Sequence, residues 1–180
     1  MRIISGDLRG RRLNPPANLP VRPTTDMARE ALFNILNNIV DFEDCAVLDL
    51  FAGTGAVSLE FVSRGAKEVT SIDINAACTS FIKSAASQFG VDNLHVVRAD
   101  VFDLLKRANR SFQIVFADPP YDLSRLPELP DAVMMSGALA DNGLFILEHP
   151  KEYDFSQHPN FSQHRVYGKV NFTFFGHSVT

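Results

Sequence analysis

The feature that most constrains the fold is a regular alternation of short apolar runs with helical patterns, which begins at residue 46. Five runs have the length and composition of buried strands: 46–51, 68–74, 94–99, 112–117 and 143–149. Between them, helical spacing predicts helices over 56–63, 75–89, 101–108 and 127–139. Because parallel strands need crossover connections of about this length, the pattern predicts a doubly wound, mostly parallel α/β sheet.

The two ends of the chain depart from this alternation. Near the C-terminus, "FSQHRVYG" and "KVNFTFFGH" are strand-like runs without room for a helix between them, so an antiparallel hairpin completes a seven-stranded sheet. Near the N-terminus, residues 2–4 and 11–13 predict a small β-hairpin arm, followed by a proline-rich linker and a helix from about Thr25. We therefore divide the chain into an arm, residues 1–24, and an α/β domain, residues 25–180.

Length and composition are those of an ordinary globular protein of one domain. Of the 180 residues, 46% are hydrophobic, but no run of 18 apolar residues is present, which argues against a membrane-spanning helix. The N-terminus also lacks the apolar segment of a secretory signal. Cys45 and Cys78 have no metal-ligand spacing, so we expect reduced thiols, no metal and a cytoplasmic location. The scattered histidines predict a structural role for His149 and no metal site at His158, His164 and His177.

Charge is distributed unevenly along the chain. Residues 1–30 hold six arginines against three acidic residues, a net charge of +3, whereas the whole chain has a net charge of −4. A basic arm on an acidic body predicts a polyanionic partner approached from one side, with a solvated basic turn as the alternative. The candidate contacts are Arg2, Arg9, Arg11, Arg12, Arg22 and Arg29.

A short glycine loop, "LDLFAGTG", follows the first predicted strand. Gly53 and Gly55 allow the backbone to approach a ligand closely, because glycine adopts conformations that other residues avoid. The third glycine of the dinucleotide fingerprint is missing, since Ser58 stands in its place. Asp49 would repel phosphate groups beside this loop and instead suits a cationic or amine-bearing ligand.

Acidic residues end the first four predicted strands in succession. Asp73 ends the second strand, where a carboxylate can accept both hydroxyls of a ribose, and Asp100 follows the third, where it can accept from an adenine amino group. Alone, each acid would be read as a helix cap or a turn residue. Together they predict S-adenosylmethionine, which has a sulfonium, an ammonium, a ribose and an adenine but no phosphate. The predicted cofactor-binding residues are Asp49, Phe51, Ala52, Gly53, Thr54, Gly55, Asp73, Ile74, Asp100 and Val101.

The fourth predicted strand ends in "VFADPPYDL", which places Asp118, Pro119, Pro120 and Tyr121 at the same edge of the sheet. Two consecutive prolines stiffen the corner and remove backbone donors, so carbonyl oxygens are left without ladder partners. An acid, a free carbonyl and an aromatic ring are thereby held together where open α/β sheets bind ligands. An ordinary strand-to-loop turn is the alternative.

In this order, "VLDLFAGTG", Asp73, Asp100 and "DPPY" resemble the class I methyltransferases that act on exocyclic amino groups of nucleic acids. The segments "RIISGDLRGRRL", "RPTTDMAREALFNIL" and "LFILEH" narrow the resemblance to the RsmD family, bacterial methyltransferases of guanine N2 in 16S ribosomal RNA. It covers nearly the whole chain. Two positions depart from it: Met27 stands where the family usually has a basic residue, and "GKVNFTFF" lacks a threonine after its glycine.

The resemblance implies a Rossmann-like methyltransferase domain over residues 25–180. The Asp118 carboxylate and the Pro119 carbonyl would accept the two N–H bonds of an exocyclic amine and localise its lone pair, while Tyr121 stacks on the base. It also implies that the arginines of the arm bind 16S rRNA in the assembled or assembling small ribosomal subunit. We expect the protein to act as a monomer.

Three other functions remain open from the sequence. An adenine-N6 methyltransferase acting on DNA or RNA uses the same four-residue corner, and only the arm separates it from the guanine enzyme. An NAD-dependent oxidoreductase is disfavoured by the missing third glycine and by Asp49. A non-catalytic RNA-binding assembly factor with the same fold is disfavoured by the intact corner.

Overall fold

One sheet of seven strands organises the computed structural model, which describes residues 1–22 and 24–176. The strands are β1 (Ala46–Leu50), β2 (Glu68–Asp73), β3 (Leu94–Arg98), β4 (Phe112–Ala117), β5 (Leu139–His149), β6 (Phe161–Tyr167) and β7 (Val170–Gly176). The helices are α1 (Asp26–Leu36), α2 (Ala56–Ser63), α3 (Ala76–Phe89), α4 (Val101–Lys106) and α5 (Leu129–Ser136), and 3-10 turns span Phe42–Asp44 and Leu126–Glu128. His177, which the sequence assigned to no metal site, lies outside the described residues.

The strand order is β3-β2-β1-β4-β5-β7-β6. Strands β1 to β5 run parallel to one another, whereas β7 runs antiparallel to both β5 and β6. The predicted doubly wound, mostly parallel sheet with a C-terminal antiparallel hairpin is therefore confirmed. Among the described helices, none is long and apolar enough to cross a bilayer.

The predicted boundaries hold to within one or two residues except around α5 and β5. The helix predicted to reach residue 139 ends at Ser136, because Gly137 takes a left-handed conformation with φ +77°. The chain then enters the sheet early, so β5 begins at Leu139, beside Phe112 of β4, and not at residue 143. A register shift follows in the pairing of β4 with β5 before Ile114.

Both faces of the sheet are covered, as a parallel sheet requires. One face packs against the arm, α1, α2 and α3, where the rings of Phe33 and Phe61 meet edge to face with centroids 4.7 Å apart. The other packs against α4 and α5, with Phe102 and Val133 in its core. Strand β1 is buried along its whole length, so its one charged residue, Asp49, is held inside the protein.

The arm is folded onto the body and shares its core. A single antiparallel bridge joins Arg2 and Arg12, which reduces the predicted hairpin to its smallest form. The residues that follow them in the chain, Ile3 and Leu13, are buried in the same cluster as α1. Residues 1–24 therefore differ from the rest of the chain in charge, but they do not form a separate packing unit.

Helix α2 anchors the arm through its polar groups. The buried carboxylate of Glu60 accepts the backbone N–H groups of Ile4 and Ser5 at 2.9 and 3.0 Å. The last residue of α2, Ser63, accepts from Asp7 through its backbone carbonyl and from the backbone of Leu8 through its hydroxyl. These bonds hold the turn of the arm against the end of the helix.

One of the six arginines assigned to RNA binding was assigned wrongly. Arg29 lies in α1 and is fully buried, and it donates to the carbonyl of Arg2 at 2.5 Å and to Asp26 at 2.8 Å. Burial lowers the pKa of its guanidinium, which its acidic neighbours partly oppose. A fully buried guanidinium cannot reach a phosphate, so Arg29 ties the arm to α1. The other five arginines are exposed.

Two glycines of the arm provide a matched test of this anchoring. Gly6 and Gly10 have nearly equal φ angles, +81° and +82°, but a Cβ on Gly6 would lie 1.8 Å from the Ser63 carbonyl oxygen, whereas one on Gly10 would meet nothing within 4 Å. Gly10→Ala should therefore lower the free energy of unfolding only by what the left-handed conformation costs in alanine, about 1–2 kcal/mol. Gly6→Ala should cost at least about 2 kcal/mol more, because the arm must lift and lose its backbone bonds to Ser63.

Urea denaturation of both variants gives the two free energies of unfolding. Equal losses would show that the contact between the arm and α2 adds nothing to stability.

Candidate active site

A cavity of about 730 Å³ opens at the carboxyl ends of the parallel strands. This volume lies within the range of small-molecule sites. The proline-rich linker at the end of the arm, residues 20–22 and 24, and Thr25 before α1 form part of its wall. The acidic side chains in the wall are Asp49, Asp73, Asp100, Asp118, Asp122 and Glu148.

Strand register explains why these groups meet. Leu50 of β1 lies beside Ile72 of β2 on one side and beside Ala117 of β4 on the other, so the residues that follow all emerge at one edge. The structure brings the three predicted catalytic residues and all but one of the ten predicted cofactor-binding residues into the wall of the cavity. The exception is Gly55, which lies at the start of α2 with φ +77° and packs against Ile82, where a Cβ would lie only 2.8 Å from Cγ1.

The glycine loop is held in place by Asp73. The backbone of Gly53 donates to Asp73 Oδ2 at 2.9 Å, and that of Asn75 donates to Oδ1 at 2.8 Å. Phe51, where β1 leaves the sheet, has a φ of +60°, a conformation that costs free energy in a residue with a side chain. Each oxygen of Asp73 retains lone pairs that can accept from a ligand hydroxyl.

Asp49 lies at the bottom of the cavity. Its Oδ2 accepts from the hydroxyl of Ser58 at 2.5 Å, and that hydroxyl also lies 2.5 Å from the hydroxyl of Ser71. Burial, helped by the nearby charges of Asp118 and Asp73, raises the pKa of Asp49 to about 7, although the bond from Ser58 opposes the rise. A positively charged ligand group would therefore favour the ionised form of Asp49.

The wall on the β2 and β3 side combines an acid with apolar groups. Asp100 caps α4 by accepting the backbone N–H of Asp103 through Oδ1 at 3.0 Å, so one of its oxygens has a structural partner. Ile74 is 62% exposed at the cavity, and Val101 begins α4 beside it. A flat, partly apolar ring could cover Ile74, while hydrogen bonding of Asp100 to an adenine amino group stays a prediction.

The corner after β4, residues 118–121, has backbone carbonyl oxygens without ladder partners, as its two prolines predict. Asp118 accepts from the hydroxyl of Thr24 at 2.9 Å, which ties the corner to the linker. Burial raises the pKa of Asp118, while the bond from Thr24 and the charge of Arg22 oppose the rise. Within residues 1–22 and 24–176, no backbone N–H donates to the Pro119 carbonyl. Two acceptors are thus available side by side.

Tyr121 has partners at both its ring and its hydroxyl. The guanidinium of Arg22 lies over the ring, 4.7 Å from its centroid, which shows that the ring accepts a flat stacked group. The hydroxyl donates to Glu148 Oε1 at 3.3 Å. Burial and the neighbouring carboxylates of Glu148 and Asp118 raise the pKa of Tyr121, so the phenol keeps its proton.

Other titratable groups near the cavity have structural roles. His149 hydrogen-bonds the carbonyl of Pro150 and the hydroxyl of Thr173, in agreement with the structural role predicted for it. Cys78 lines the cavity, but burial raises its pKa to about 11, so it remains a thiol. Among the described residues, no group of three His, Cys, Asp or Glu side chains is placed to hold a metal ion.

Comparison with known proteins assigns the chain to a family. Residues 1–176 match the model of the family described as "Conserved hypothetical protein 95". The chain is 36% identical over 173 residues to "Ribosomal RNA small subunit methyltransferase D" of Escherichia coli strain K12, which covers 94% of this chain and 86% of that relative. The chain belongs to the RsmD family.

Solved structures agree with the RsmD assignment. The structure of yhhF from Escherichia coli is 33% identical and superposes with a TM-score of 0.85 over 100% of this chain and 99% of that one. A more distant structure, complexed with SAH, is 19% identical with a TM-score of 0.65 over 84% of this chain and 49% of its own, and it shares the fold. The Rossmann-like fold predicted from the resemblance is confirmed.

One acidic group of this RsmD-family site, Glu148, was not among the predicted residues. Glu148 lies in β5, one residue before its end, and its side chain is only 4% exposed. Its Oε2 has no hydrogen-bond partner among the described residues. The sequence carries a signal for Glu148, because acids end the first four predicted strands and "LFILEH" continues that series at the fifth, where only His149 was considered.

The raised pKa of Asp49 predicts how the stability of the free protein depends on pH. The folded protein keeps a proton on Asp49 up to about pH 7, whereas the unfolded chain releases it near pH 4. Between these values the folded state binds more protons, so this group makes the free energy of unfolding decline as pH rises. Each unit of pKa difference is worth about 1.4 kcal/mol, so Asp49→Asn should remove a decline of a few kcal/mol.

Urea denaturation at pH 5 and pH 8, without ligand, measures this difference. The exposed Asp92→Asn should keep the pH dependence of the wild type. If Asp49→Asn changed stability equally at both pH values, the burial of a titrating carboxyl at this position would be ruled out.

Proposed function

We propose that this RsmD-family protein transfers a methyl group from S-adenosylmethionine to the exocyclic N2 amine of a guanine in 16S rRNA of the small ribosomal subunit. The observation that carries the proposal is the juxtaposition of Asp118, the Pro119 carbonyl and the Tyr121 ring in one cavity with the glycine loop and Asp73. The relative named as a small-subunit rRNA methyltransferase supports methyl transfer to ribosomal RNA as the reaction class.

The cofactor end of the cavity fits S-adenosylmethionine by the chemistry of its groups. Asp73 has lone pairs for the ribose hydroxyls, and Asp49 suits the ammonium group. Ile74 and Val101 offer apolar contact to the adenine, with Asp100 beside them. When bound, S-adenosylmethionine supplies a methyl group made electrophilic by its sulfonium. The residues of the protein have to hold that group in line with the nucleophile.

The substrate end of the cavity prepares the exocyclic amine of the base, a poor nucleophile, for attack on the methyl group. The lone pair of an exocyclic amine is delocalised into the base, and two acceptors aimed at its N–H bonds favour the geometry that localises it. Asp118 and the Pro119 carbonyl are these acceptors. Because the pKa of Asp118 is raised, it is a stronger base than an ordinary aspartate and can take the proton that the amine loses.

Orientation comes from Tyr121. A base that has left its stack would lie on this ring, and such stacking is worth about 1–3 kcal/mol. The stacking plane then fixes where the amine points relative to Asp118. The guanidinium of Arg22, which lies over the ring in the free protein, shows that a flat cationic or aromatic group is accommodated there.

The arm supplies the contact with the ribosomal subunit. Arg2, Arg9, Arg11 and Arg12 are exposed, and Arg22 is exposed at the cavity, so all five can reach phosphates. A small arm is poorly equipped to bind a duplex alone, but it can dock on a preformed surface of folded RNA and protein. We therefore place the reaction in the cytoplasm, on the assembled or assembling small subunit, with the protein acting as a monomer.

The proposal predicts a product and a variant that fails to make it. Unmodified small subunits incubated with labelled S-adenosylmethionine should yield N2-methylguanosine on nucleoside analysis by mass spectrometry. Asp118→Asn should lower the rate at least about 100-fold, because the amide can still accept a hydrogen bond but cannot take the proton that the amine loses. Calorimetry should show that this variant binds S-adenosylmethionine within a few-fold of the wild type.

Asp73→Ala is the matched comparison, because it should weaken cofactor binding through lost charge-assisted hydrogen bonds, each worth about 1.5–3 kcal/mol. N6-methyladenine as the product would overturn the choice of base. Loss of cofactor binding in Asp118→Asn would assign that residue to the wrong end of the cavity.

The arm can be tested separately from the chemistry. Changing Arg9 and Arg12 to glutamine should weaken binding of small-subunit RNA and lower the salt dependence of the binding constant by about 0.7 per lost phosphate contact. The control is Lys106→Gln with Arg107→Gln, which removes two exposed charges from α4 on the opposite face of the sheet. An equal change in both double variants would show that the arm adds only net charge.

A further inference from the structure

Two acids of the cavity wall, Asp49 and Glu148, are buried, and the proposed reaction leaves Glu148 unused. Its carboxylate lies in the cavity wall, and Oε1 accepts from the Tyr121 hydroxyl. The second oxygen, Oε2, is fully buried and has no partner among the described residues. Burial and the negative charge of Asp118 raise the pKa of Glu148 to about 8, although Tyr121 and Arg22 oppose the rise, so an N–H donor bound to Oε2 would favour its ionised form.

A purely structural role does not explain this arrangement. Buried polar atoms are normally hydrogen-bonded, and a buried carboxyl with one empty oxygen costs free energy. Arg22, whose positive charge acts on Glu148, lies over the Tyr121 ring, and no ion pair joins it to Glu148 among the described residues. Glu148 lines the cavity next to the ring proposed to carry the base, so a turn of its side chain would bring the unpaired oxygen to a hydrogen-bond donor on the substrate.

The chemistry of purines identifies that donor. In guanine, the ring N1–H lies next to the N2 amine on the Watson–Crick edge. In adenine, the ring nitrogen next to the N6 amine carries a lone pair and no hydrogen. Asp118 and the Pro119 carbonyl address only the amine, which both bases have, so base choice requires another group. An acceptor beside this pair would bind guanine and repel adenine.

We propose that Glu148 determines the choice of base, with Oε2 accepting the N1–H of the guanine whose N2 amine is held by Asp118 and Pro119. This inference rests on the proposed function. The bond from Tyr121 to Oε1 ties the base-reading carboxylate to the ring on which the base stacks. A site built to bind a substrate N–H rejects an analogue that lacks it, because the buried acceptor then stays unpaired.

The test uses a base that has the same exocyclic amine as guanine but no hydrogen on N1. 2-Aminopurine has the N2 amine of guanine, but its N1 carries a lone pair. The modified guanosine is first mapped on unmodified small subunits with the wild-type protein. Subunits are then reconstituted with 16S rRNA that carries guanosine or 2-aminopurine at that position, and kcat/KM is measured for both.

We expect the wild-type protein to prefer guanosine at least about 100-fold. Glu148→Gln should reduce this preference at least about tenfold, because its amide can accept from guanine N1–H or, turned over, donate to the N1 lone pair of 2-aminopurine. Glu148→Ala, which offers neither group, should also bring the ratio towards one. The exposed Glu152→Gln, four residues further along, should keep the wild-type ratio.

A ratio is informative because a variant that is merely less stable loses activity on both bases equally. If the wild-type protein methylated 2-aminopurine as well as guanosine, N1–H would not be read and the inference would be overturned, whether or not the variants fold. An unchanged ratio in Glu148→Gln would overturn it too. Failure of the mapping step, with no N2-methylguanosine formed, would instead reject the proposed function.

Discussion

The structure depends on the alignment of parallel strand ends, which brings several carboxyl groups to one edge of the sheet. Asp49, Asp73, Asp118 and Glu148 belong to four strands that lie side by side, and burial raises the pKa of three of them. Like charges in a buried cavity destabilise the free protein. Ligands that bring an ammonium, hydroxyls and N–H donors relieve this destabilisation, so the same groups that weaken the fold can bind the cofactor and the base.

The arm contributes more than charge to this site. Glu60 fixes its backbone on α2, Arg29 ties it to α1, and Thr24 at its end donates to Asp118. A continuous set of contacts therefore links the basic surface proposed to meet RNA with the corner proposed to bind the amine. Deleting the arm would remove Ile3 and Leu13 and expose the core residues that they cover, so point substitutions separate RNA binding from stability better than truncation does.

The hydrophobic period of the sequence and the spacing of its motifs were sufficient to predict the sheet, its hairpin and most residues of the cavity, because those features are local in sequence. The errors came from contacts between distant segments. Charge counting placed Arg29 on the surface, although its position one turn before Leu32 on the apolar face of α1 buries it. Gly55 was assigned to the ligand, yet its conformation and the closeness of Ile82 show a packing role. Glu148 was overlooked, because only the register of β4 with β5 brings it near Tyr121.

The two ends of the cavity differ in how much selectivity they can provide. Asp118 and the Pro119 carbonyl meet an amine that guanine and adenine both present, and stacking on Tyr121 tolerates any base. The arm binds phosphates, which position a substrate but do not identify a base. Selectivity must therefore come from a group that contacts the ring edge beside the amine. Among the described residues of the cavity, Glu148 has the buried, unpaired acceptor that this contact requires.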